Sequence, residues 1–284
     1  EIMPSLVGSE MCIRDRSYVV LVLIAFLFNA PIYYLFLSSL KTDRQIIADM
    51  STFRAFLPTG ELSLDNYVAV LEKLDFLRYL KNSVIVTVIA VCFGTIINAM
   101  MGYALAVLRF KGRKQLVSLM LALAIVPTES VIINRFMVVK DLGLLDSYAG
   151  LALPMIAYPM YIFLYYNHFK GMPVELIEAA LVDGENHFNI FWKIMLPLSK
   201  PICTTVAIMS FIRTWGNLLW PTLVTRTDAL RTLPQAINNL SNEYLVFWGQ
   251  IFAFASMMTL PVLLLFLLFQ KQFIQSMAMT GIKG

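Results

Sequence analysis

Charged and amide side chains inside apolar stretches are the first candidates for chemistry in this sequence. Glu129, Asn134 and Arg135 follow Pro127 within one such stretch. Charge at membrane depth is costly, so these groups must face a cavity, a partner or water. Three interpretations stay open: the residues lie solvated near the outer end of a shortened helix, they line a polar translocation path, or they form a structural ion pair.

Catalytic and phosphate-binding motifs are missing from the sequence: it has no Gly-x-x-x-x-Gly-Lys-Ser/Thr, Gly-x-Ser-x-Gly or His-Glu-x-x-His. His168 and His187 lie near the predicted cytoplasmic face and are interpreted as interfacial residues. Cys12, Cys92 and Cys203 are scattered, which indicates packing rather than disulfides or metal ligands. We therefore expect no enzyme activity, no cofactor and no metal, and a transporter of this kind would draw energy from an ion gradient or a partner protein.

A polar segment, residues 171–201, separates two apolar stretches. Pro173 suits a first helical position, and Gly184 can take the left-handed conformation that ends a helix, which predicts a short helix over 173–183. The segment is long and polar enough to receive a soluble partner.

A second helix is predicted directly after this glycine turn. Asn186 can cap it, and Phe188 and Trp192 recur at helical spacing. We expect Pro197 and Pro201 to stop it.

The composition sets the class of protein. Hydrophobic residues make up 59% of the sequence and charged residues 14%, whereas an ordinary soluble domain carries about 25% charged residues. The mean hydropathy is +0.73. The sequence therefore predicts an all-α, polytopic membrane protein, and its small net charge of +4 indicates no nucleic-acid partner.

Six membrane spans are predicted, because about 20 apolar residues suffice to cross the hydrocarbon and proline-interrupted spans can be compensated by neighbouring helices. The first has 23 residues without a charge, longer than the ~7–15-residue apolar region of a signal peptide, so an uncleaved helix is favoured. Residues 1–17 lack a strong pattern and are treated as a fragment edge or non-native segment outside the domain 18–284. The spans cover residues 18–40, 82–108, 116–139, 150–166, 202–224 and 247–269.

Two features of the loops and spans complete the sequence-based fold. Residues 41–81 carry mixed charge and are predicted to be a loop outside the hydrocarbon, whereas Gly102 in the second span offers a small surface for close helix contact. The short loop 109–114 holds four basic residues against one in 140–148. Since basic residues mark short cytoplasmic loops, both termini and the polar segment are predicted to be cytoplasmic.

The polar segment resembles the EAA loop of the permease subunits of binding-protein-dependent ABC importers. The resemblance extends over roughly residues 18–284, where Trp215 to Pro221 and the terminal Gly-Ile-Lys-Gly are similar to maltose-type carbohydrate permeases. Gly216 departs from that pattern, since many such permeases have Asn there. The loop residues that match in type and spacing, over 20 consecutive positions, are Glu178, Ala179, Ala180, Asp183, Gly184, Ile194, Leu196 and Pro197.

This resemblance implies a six-helix type I importer domain, with the first helix of the segment acting as a coupling helix in a groove of an ATPase subunit. Glu178 would make a polar contact, Ala179 and Ala180 would let the helix lie close, and Gly184 would allow the turn. A helix resting on lipid headgroups is the alternative, but such helices favour basic residues, and 173–185 has four acidic residues and no basic one.

The resemblance also implies the partners and the cycle. They are an ABC ATPase dimer, a second permease subunit that is usually a different chain, and an extracytoplasmic solute-binding protein, all at the cytoplasmic membrane. In maltose-type relatives the loop matched by 225–246 reaches into the binding protein, and the tail matched by Gly281, Lys283 and Gly284 contacts the ATPase pair. ATP binding would draw the ATPase subunits together, move the coupling helices and open the path outward.

A carbohydrate is the substrate class that this resemblance implies. Sugars stack on aromatic faces and hydrogen-bond to amides, so Trp215, Asn217 and Trp220 are candidate ligands. The alternative is that the tryptophans anchor the span at the interface. Glycerol-phosphate or another polar solute stays open as the substrate. An ion-gradient transporter would be expected to show an internal repeat with broken helices, which we do not find, and a purely structural assembly protein would leave the acidic segment unexplained.

Overall fold

The computed structural model describes residues 3–241 and 246–281, with side chains for 18–241 and 246–270. In that part the chain is helical without a strand, apart from an isolated bridge between Lys41 and Leu62, which confirms the all-α class. In chain order the α-helices are α1 (Met3–Ser38), α2 (Asp43–Asp49), α3 (Asp65–Lys73), α4 (Phe76–Val107), α5 (Arg113–Ile125), α6 (Ile132–Asp141), α7 (Tyr148–Ile156), α8 (Pro159–Lys170), α9 (Glu175–Val182), α10 (His187–Ile190), α11 (Leu196–Leu198), α12 (Lys200–Trp215), α13 (Leu219–Val224), α14 (Leu233–Ser241) and α15 (Trp248–Gly281).

Three helical stretches of the described chain are long and apolar enough to cross a membrane: Tyr18–Ser38 in α1, the whole of α4, and Trp248–Gln270 in α15. Helix α4 begins at Phe76 rather than at the predicted residue 82. The reason is local, because 76–81 contains no Gly or Pro and Phe76 itself is buried. Three bent helix pairs bring the number of candidate spans to as many as six.

The stretch predicted as the third span is broken near its middle. Helix α5 ends at Ile125, and Thr128–Asp141 continues at an angle of 102°. Pro127 has no backbone N–H and disfavours helical backbone at Val126, which is extended at φ −71° and ψ 122°. The fourth stretch bends less: α7 and α8 meet at 41°, and Pro159 begins the second helix.

The second helix of the polar segment ends between Pro197 and Pro201, as the sequence predicts. The chain stays helical through a π-helix, Phe191–Met195, up to Leu198. It then bends by 81° at Ser199 and continues as α12. Pro201 lies in the first turn of α12, where a missing N–H costs no hydrogen bond.

The fifth predicted span, 202–224, is also not one helix. It starts earlier, at Lys200, and α12 ends at Trp215. Residues 216–218 leave the helix before α13 begins at Leu219. The predicted outer loop 225–246 contains helix α14, and its residues 242–245 lie outside the described part of the chain.

The described chain divides into two compact units, and the first contains the residues up to Phe76 with Asn239–Leu260. Residues 41–81, predicted to be a loop outside the hydrocarbon, contain α2, α3, a 3-10 turn at Phe53–Phe56 and the start of α4. Lys41 is buried, and its Nζ donates to Asp49 Oδ2 at 3.1 Å and to the carbonyl of Arg54 at 2.9 Å. This buried ion pair organises the unit.

The second unit contains Leu77–Asn238 and the chain from Pro261 onward. Its helices α4 and α8 approach closely at Gly102, where an added Cβ would lie 2.4 Å from the Cβ of Tyr165. This confirms that Gly102 provides a surface for close helix contact. The buried residues that join these helices to the polar segment are Ala99, Tyr103, Tyr161, Tyr165, Phe169, Ile177, Ala180, Ile190, Phe191, Met195 and Val206.

Candidate functional site

The first helix of the polar segment is α9, which begins after Pro173 and ends at a glycine turn. Gly184 has φ +82°, a left-handed conformation that favours glycine. The amide of Gly184 donates to Leu181 O at 3.1 Å, and that of Glu185 donates to Ala180 O at 3.0 Å, so the last carbonyls of the helix are satisfied. The predicted role of Gly184 in the turn agrees with this geometry.

The second helix is capped as its sequence predicts. Asn186 Oδ1 accepts a hydrogen bond from the Asn189 amide at 2.8 Å. Glu185 accepts from Lys193 Nζ and from Asn189 Nδ2, each at 2.7 Å. The Lys193 ammonium and then the Asn189 amide hold the pKa of the Glu185 carboxyl below its usual range. The helix-turn-helix is therefore a locally determined, rigid unit.

One face of helix α9 is buried in the core, and the other face is exposed. Ile177 and Ala180 are buried, whereas Glu178 and Ala179 are exposed. Ala180, which the resemblance put against a partner, instead packs against the protein's own core. Val182 is 88% exposed, so the outer face combines acidic side chains with uncovered apolar surface.

The later residues of the motif hold the segment against the helices. Ile194 and Leu196 are half-buried and pack against the core cluster, whereas Pro197 is exposed. Tyr103 of α4 makes the central contact: its hydroxyl lies 3.2 Å from His187 Nδ1, and its ring packs edge-on against Phe169 at 5.7 Å. Movement of the polar segment would therefore be passed on to α4 and α8.

A second feature is a cavity of about 390 Å³ that gathers charged residues predicted to lie on a translocation path. Glu129 and Arg135 line it from either side of the start of α6, and Asn217 and Trp220 line it from the break before α13 and from α13 itself. Gly216, the departure from the carbohydrate-permease pattern, also lines it. Asn134 and Trp215 are not among its lining residues.

The two tryptophans are structural anchors in this conformation. Trp220 is 1% exposed, and its indole N–H donates to Gly150 O at 3.2 Å. Trp215 is 4% exposed and stacks on Phe211 with ring centroids 5.4 Å apart. Asn217 Oδ1 accepts from the Trp220 amide at 3.1 Å, which satisfies an amide in the first turn of α13. An indole face open to a sugar is therefore not what the structure shows.

Arg213, in the predicted fifth span, is a cavity residue that is not among the candidates predicted from the sequence. Arg213 lines the cavity, and its guanidinium lies 4.0 Å over the ring of Tyr158. The available signal was a charge within an apolar stretch, the same signal that selected Arg135. Its position in the same cavity as Arg135 depends on the bends in the helices.

The carboxylates of Asp228 and Asp146 hold the start of the predicted outer loop in place. Asp228 accepts from Arg78 at 2.5 Å and from Arg231 at 2.6 Å. Asp146 accepts from the amides of Arg226 and Thr227 at 2.9 and 3.1 Å. Partial desolvation acts in the opposite direction, but these amides and the Thr227 hydroxyl hold the pKa of the Asp146 carboxyl below its usual range. The loop residues 225–231 therefore have a fixed position within their unit.

The predicted contacts of the C-terminal tail cannot be placed. Gly281 is the last residue of α15. Lys283 and Gly284 lie outside the described residues. The tail's role stays a prediction.

Three features define the class of this protein as a multi-pass membrane protein of the transport type. They are the apolar helices, a charged cavity between them and a polar helical segment outside the apolar stretches. Residues 94–279 match the family described as binding-protein-dependent transport system inner membrane component. The chain belongs to this family, whose members work with a solute-binding protein. The resemblance inferred from the polar segment is thereby confirmed.

Individual relatives extend over nearly the whole chain. The arabinooligosaccharides transport system permease protein AraQ of Halalkalibacterium halodurans is 32% identical, across 92% of this chain and 93% of its own. The lactose transport system permease protein LacG of Rhizobium radiobacter is 30% identical, across 92% and 93%.

The same fold occurs in solved structures. A chain in the crystal structure of a bacterial ABC transporter involved in the import of the acidic polysaccharide alginate superimposes with a TM-score of 0.81 at 24% identity, covering 93% of this chain and 97% of that chain. A chain of the alginate transporter in complex with an alginate pentasaccharide-bound periplasmic protein gives a TM-score of 0.58 at 13% identity, covering 99% of both chains. This confirms the type I importer fold.

Proposed function

We propose that this chain is the permease subunit of an ATP-driven importer that moves a carbohydrate across the cytoplasmic membrane by alternating access. The observation that carries the proposal is the two-faced helix α9, because it offers acidic and apolar groups to a partner while its other face is fixed in the core. The named relatives that cover most of the chain are permeases for arabinooligosaccharides and for lactose, which supports a saccharide as the substrate.

The partner at α9 is proposed to be an ATPase subunit. Glu178 would make the polar contact, Ala179 would allow close approach, and Val182 would be covered on docking. Asp183 is exposed beside the Gly184 turn and would face the same partner. Lipid headgroups are a weaker fit, since they attract basic rather than acidic faces.

The proposed orientation of the chain in the membrane rests on two features that lie at one end of the second unit. Lys170, directly before the polar segment, lines a cavity of about 820 Å³ together with Arg109, Arg113 and Lys114 of the basic loop. The basic loop and the polar segment therefore lie at one end of the helices. Because short basic loops are cytoplasmic, this arrangement supports a cytoplasmic polar segment and cytoplasmic termini.

The opposite end would receive the binding protein. The loop that follows α13 is held by Asp146 and Asp228, and Asn82 Nδ2 donates to the carbonyls of Ala229 and Arg231 at 2.8 Å each. A loop fixed in this way offers a defined surface to a docking partner at little cost in conformational entropy. A second permease subunit, which we propose is a different chain, would complete the path.

The proposal predicts that reversing one charge on α9 uncouples transport. Glu178→Lys should lower sugar uptake at least about tenfold, because a lysine would meet the surface that a carboxylate should contact and like-charge juxtaposition costs several kcal/mol. Uptake is measured in cells that express the complete transporter, with whichever labelled saccharide the wild type imports among arabinooligosaccharide, lactose and trigalacturonate. Membrane abundance should match that of the wild type.

Glu72→Lys is the matched control, since Glu72 is also an exposed glutamate on a short helix. Uptake by that variant should stay within about twofold of the wild type, as surface substitutions are usually small in effect. Undiminished uptake by Glu178→Lys, or failure of the purified chain to bring down an ATPase, would contradict the proposal.

A further inference from the structure

The cavity of about 390 Å³ contains an excess of positive charge. Two guanidinium groups, Arg135 and Arg213, share its lining with one carboxylate, Glu129. Glu129 is exposed and already accepts a hydrogen bond from Thr128 Oγ1 at 3.0 Å. One carboxylate at the rim cannot neutralise two guanidiniums, so the cavity is cationic.

Neither guanidinium forms an ion pair with an acid among the described side chains. Among the side chains described at 18–241 and 246–270, no carboxylate lies within 4.0 Å of Arg135 or Arg213 in an ion pair. Both arginines are half-buried. Charges at membrane depth are costly unless they are paired or face a functional cavity, so two unpaired arginines in one cavity require an explanation.

Aromatic rings hold the flat faces of the two guanidiniums. Arg213 lies 4.0 Å over Tyr158, and Arg135 lies 5.7 Å over Trp220. A ring under the face fixes the group and leaves N–H donors along its edge available, apart from the hydrogen bond that Arg213 makes with the Tyr161 side chain. Those edges match the two oxygens of a carboxylate, or the oxygens of a phosphate, in a bidentate arrangement.

We infer that this cavity binds an anionic group of the transported solute, so that the substrate is an acidic saccharide or a phosphorylated polyol rather than a neutral sugar. This inference rests on the proposed importer function and narrows its substrate class. The anionic group would sit between Arg135 and Arg213. Asn217 Nδ2, whose recorded contact is a weak one to Met155 Sδ at 4.0 Å, is placed to donate to a neighbouring hydroxyl.

The experiment compares three probes in cells or proteoliposomes that contain the complete transporter: trigalacturonate for a carboxylate, glycerol 3-phosphate for a phosphate, and maltotriose as the neutral sugar. The wild type should import at least one of the two acidic probes in preference to maltotriose. Arg213→Gln and Arg135→Gln should each lower uptake of that probe about 10- to 100-fold, the range expected for a hydrogen-bonded charge contact. Any uptake of maltotriose should change less than about twofold.

Two further variants separate a binding role from a structural one. Arg213→Lys keeps the charge but loses the planar fork, so it should recover part of the acidic uptake. Lys140→Gln removes one exposed positive charge from the same helix as Arg135 without touching the cavity, and it should behave as wild type. If Arg213→Gln fails to accumulate in membranes, Arg135→Gln and Arg213→Lys carry the test.

The outcomes distinguish this inference from the proposed function. Two results would overturn the binding of an anionic group in the cavity: preferential import of maltotriose, or an equal loss of acidic and neutral uptake in both Gln variants. Neither result would contradict the proposed carbohydrate importer. Import of glycerol 3-phosphate and of no other probe supports the binding of an anionic group in the cavity, but it contradicts a carbohydrate as the substrate. No import of any probe, of arabinooligosaccharide or of lactose, with no response of the ATPase to any of them, overturns both.

Discussion

Lys41 shows how a single residue can take a role that its neighbours in sequence do not suggest. It follows an apolar helix, where a lysine would be expected to reach for water, yet its side chain is 1% exposed and bound to Asp49. A buried charge that loses its partner is strongly destabilising, even where the pair as a whole adds little stability. The pair therefore makes the first compact unit sensitive to changes in either residue.

Asp49→Ala should lower the free energy of unfolding by about 3–5 kcal/mol, because the Lys41 ammonium would remain buried without its counter-ion. The measurement is unfolding of the purified protein in mixed detergent micelles. Glu61→Ala, at an exposed position, is the control and should change stability by less than about 0.5 kcal/mol. If Asp49→Ala matched Glu61→Ala, the ion pair would not organise this unit.

At the scale of elements, the close approach of α4 and α8 transmits the position of the polar segment. Gly102 permits that approach, and the neighbouring Tyr103 contacts the polar segment at His187 and Phe191. Because packed elements shift as units rather than deforming continuously, displacement of α9 and α10 would move these helices together.

Gly102→Ala should therefore disturb both stability and transport. The new Cβ would lie 2.4 Å from Tyr165 Cβ and 2.9 Å from the Tyr166 amide nitrogen, so the helices must separate, at a cost of about 1–3 kcal/mol. Uptake and thermal stability of the variant check this. Gly171→Ala is the matched control: its Cβ would meet nothing closer than 3.5 Å, and both properties should stay near wild type.

The elements also show which features a sequence can predict. The helix-turn-helix of the polar segment was predictable because Gly184 and Asn186 act on neighbouring backbone. The bend at Ser199 was not, since a proline can either stop a helix or begin the next one, and tertiary packing decides between them. The buried state of Trp220 depends on the distant carbonyl of Gly150, which no local pattern reveals.

At the scale of the whole protein, one candidate site could be located from the sequence. For the other, the sequence predicts candidate residues but not that they come together. The motif around Glu178 was located by its resemblance, in residue types and spacing, to the EAA loop. The cavity required Arg135 and Arg213 to be brought together by breaks at Pro127 and at 216–218, and a linear sequence does not give those angles. Family membership shows the transport role, and the cavity leads to the hypothesis that the transported solute carries negative charge.

The central claim is that α9 docks on an ATPase, and photo-cross-linking tests it most directly. A photoreactive amino acid at Val182, which is 88% exposed, should form an adduct with an ATPase subunit in membranes that contain the complete transporter. The same amino acid at Ile177, which is 7% exposed and faces the core, should form none. Adducts of Val182 with lipid, or no ATPase adduct in a complex that imports its solute, would contradict the account.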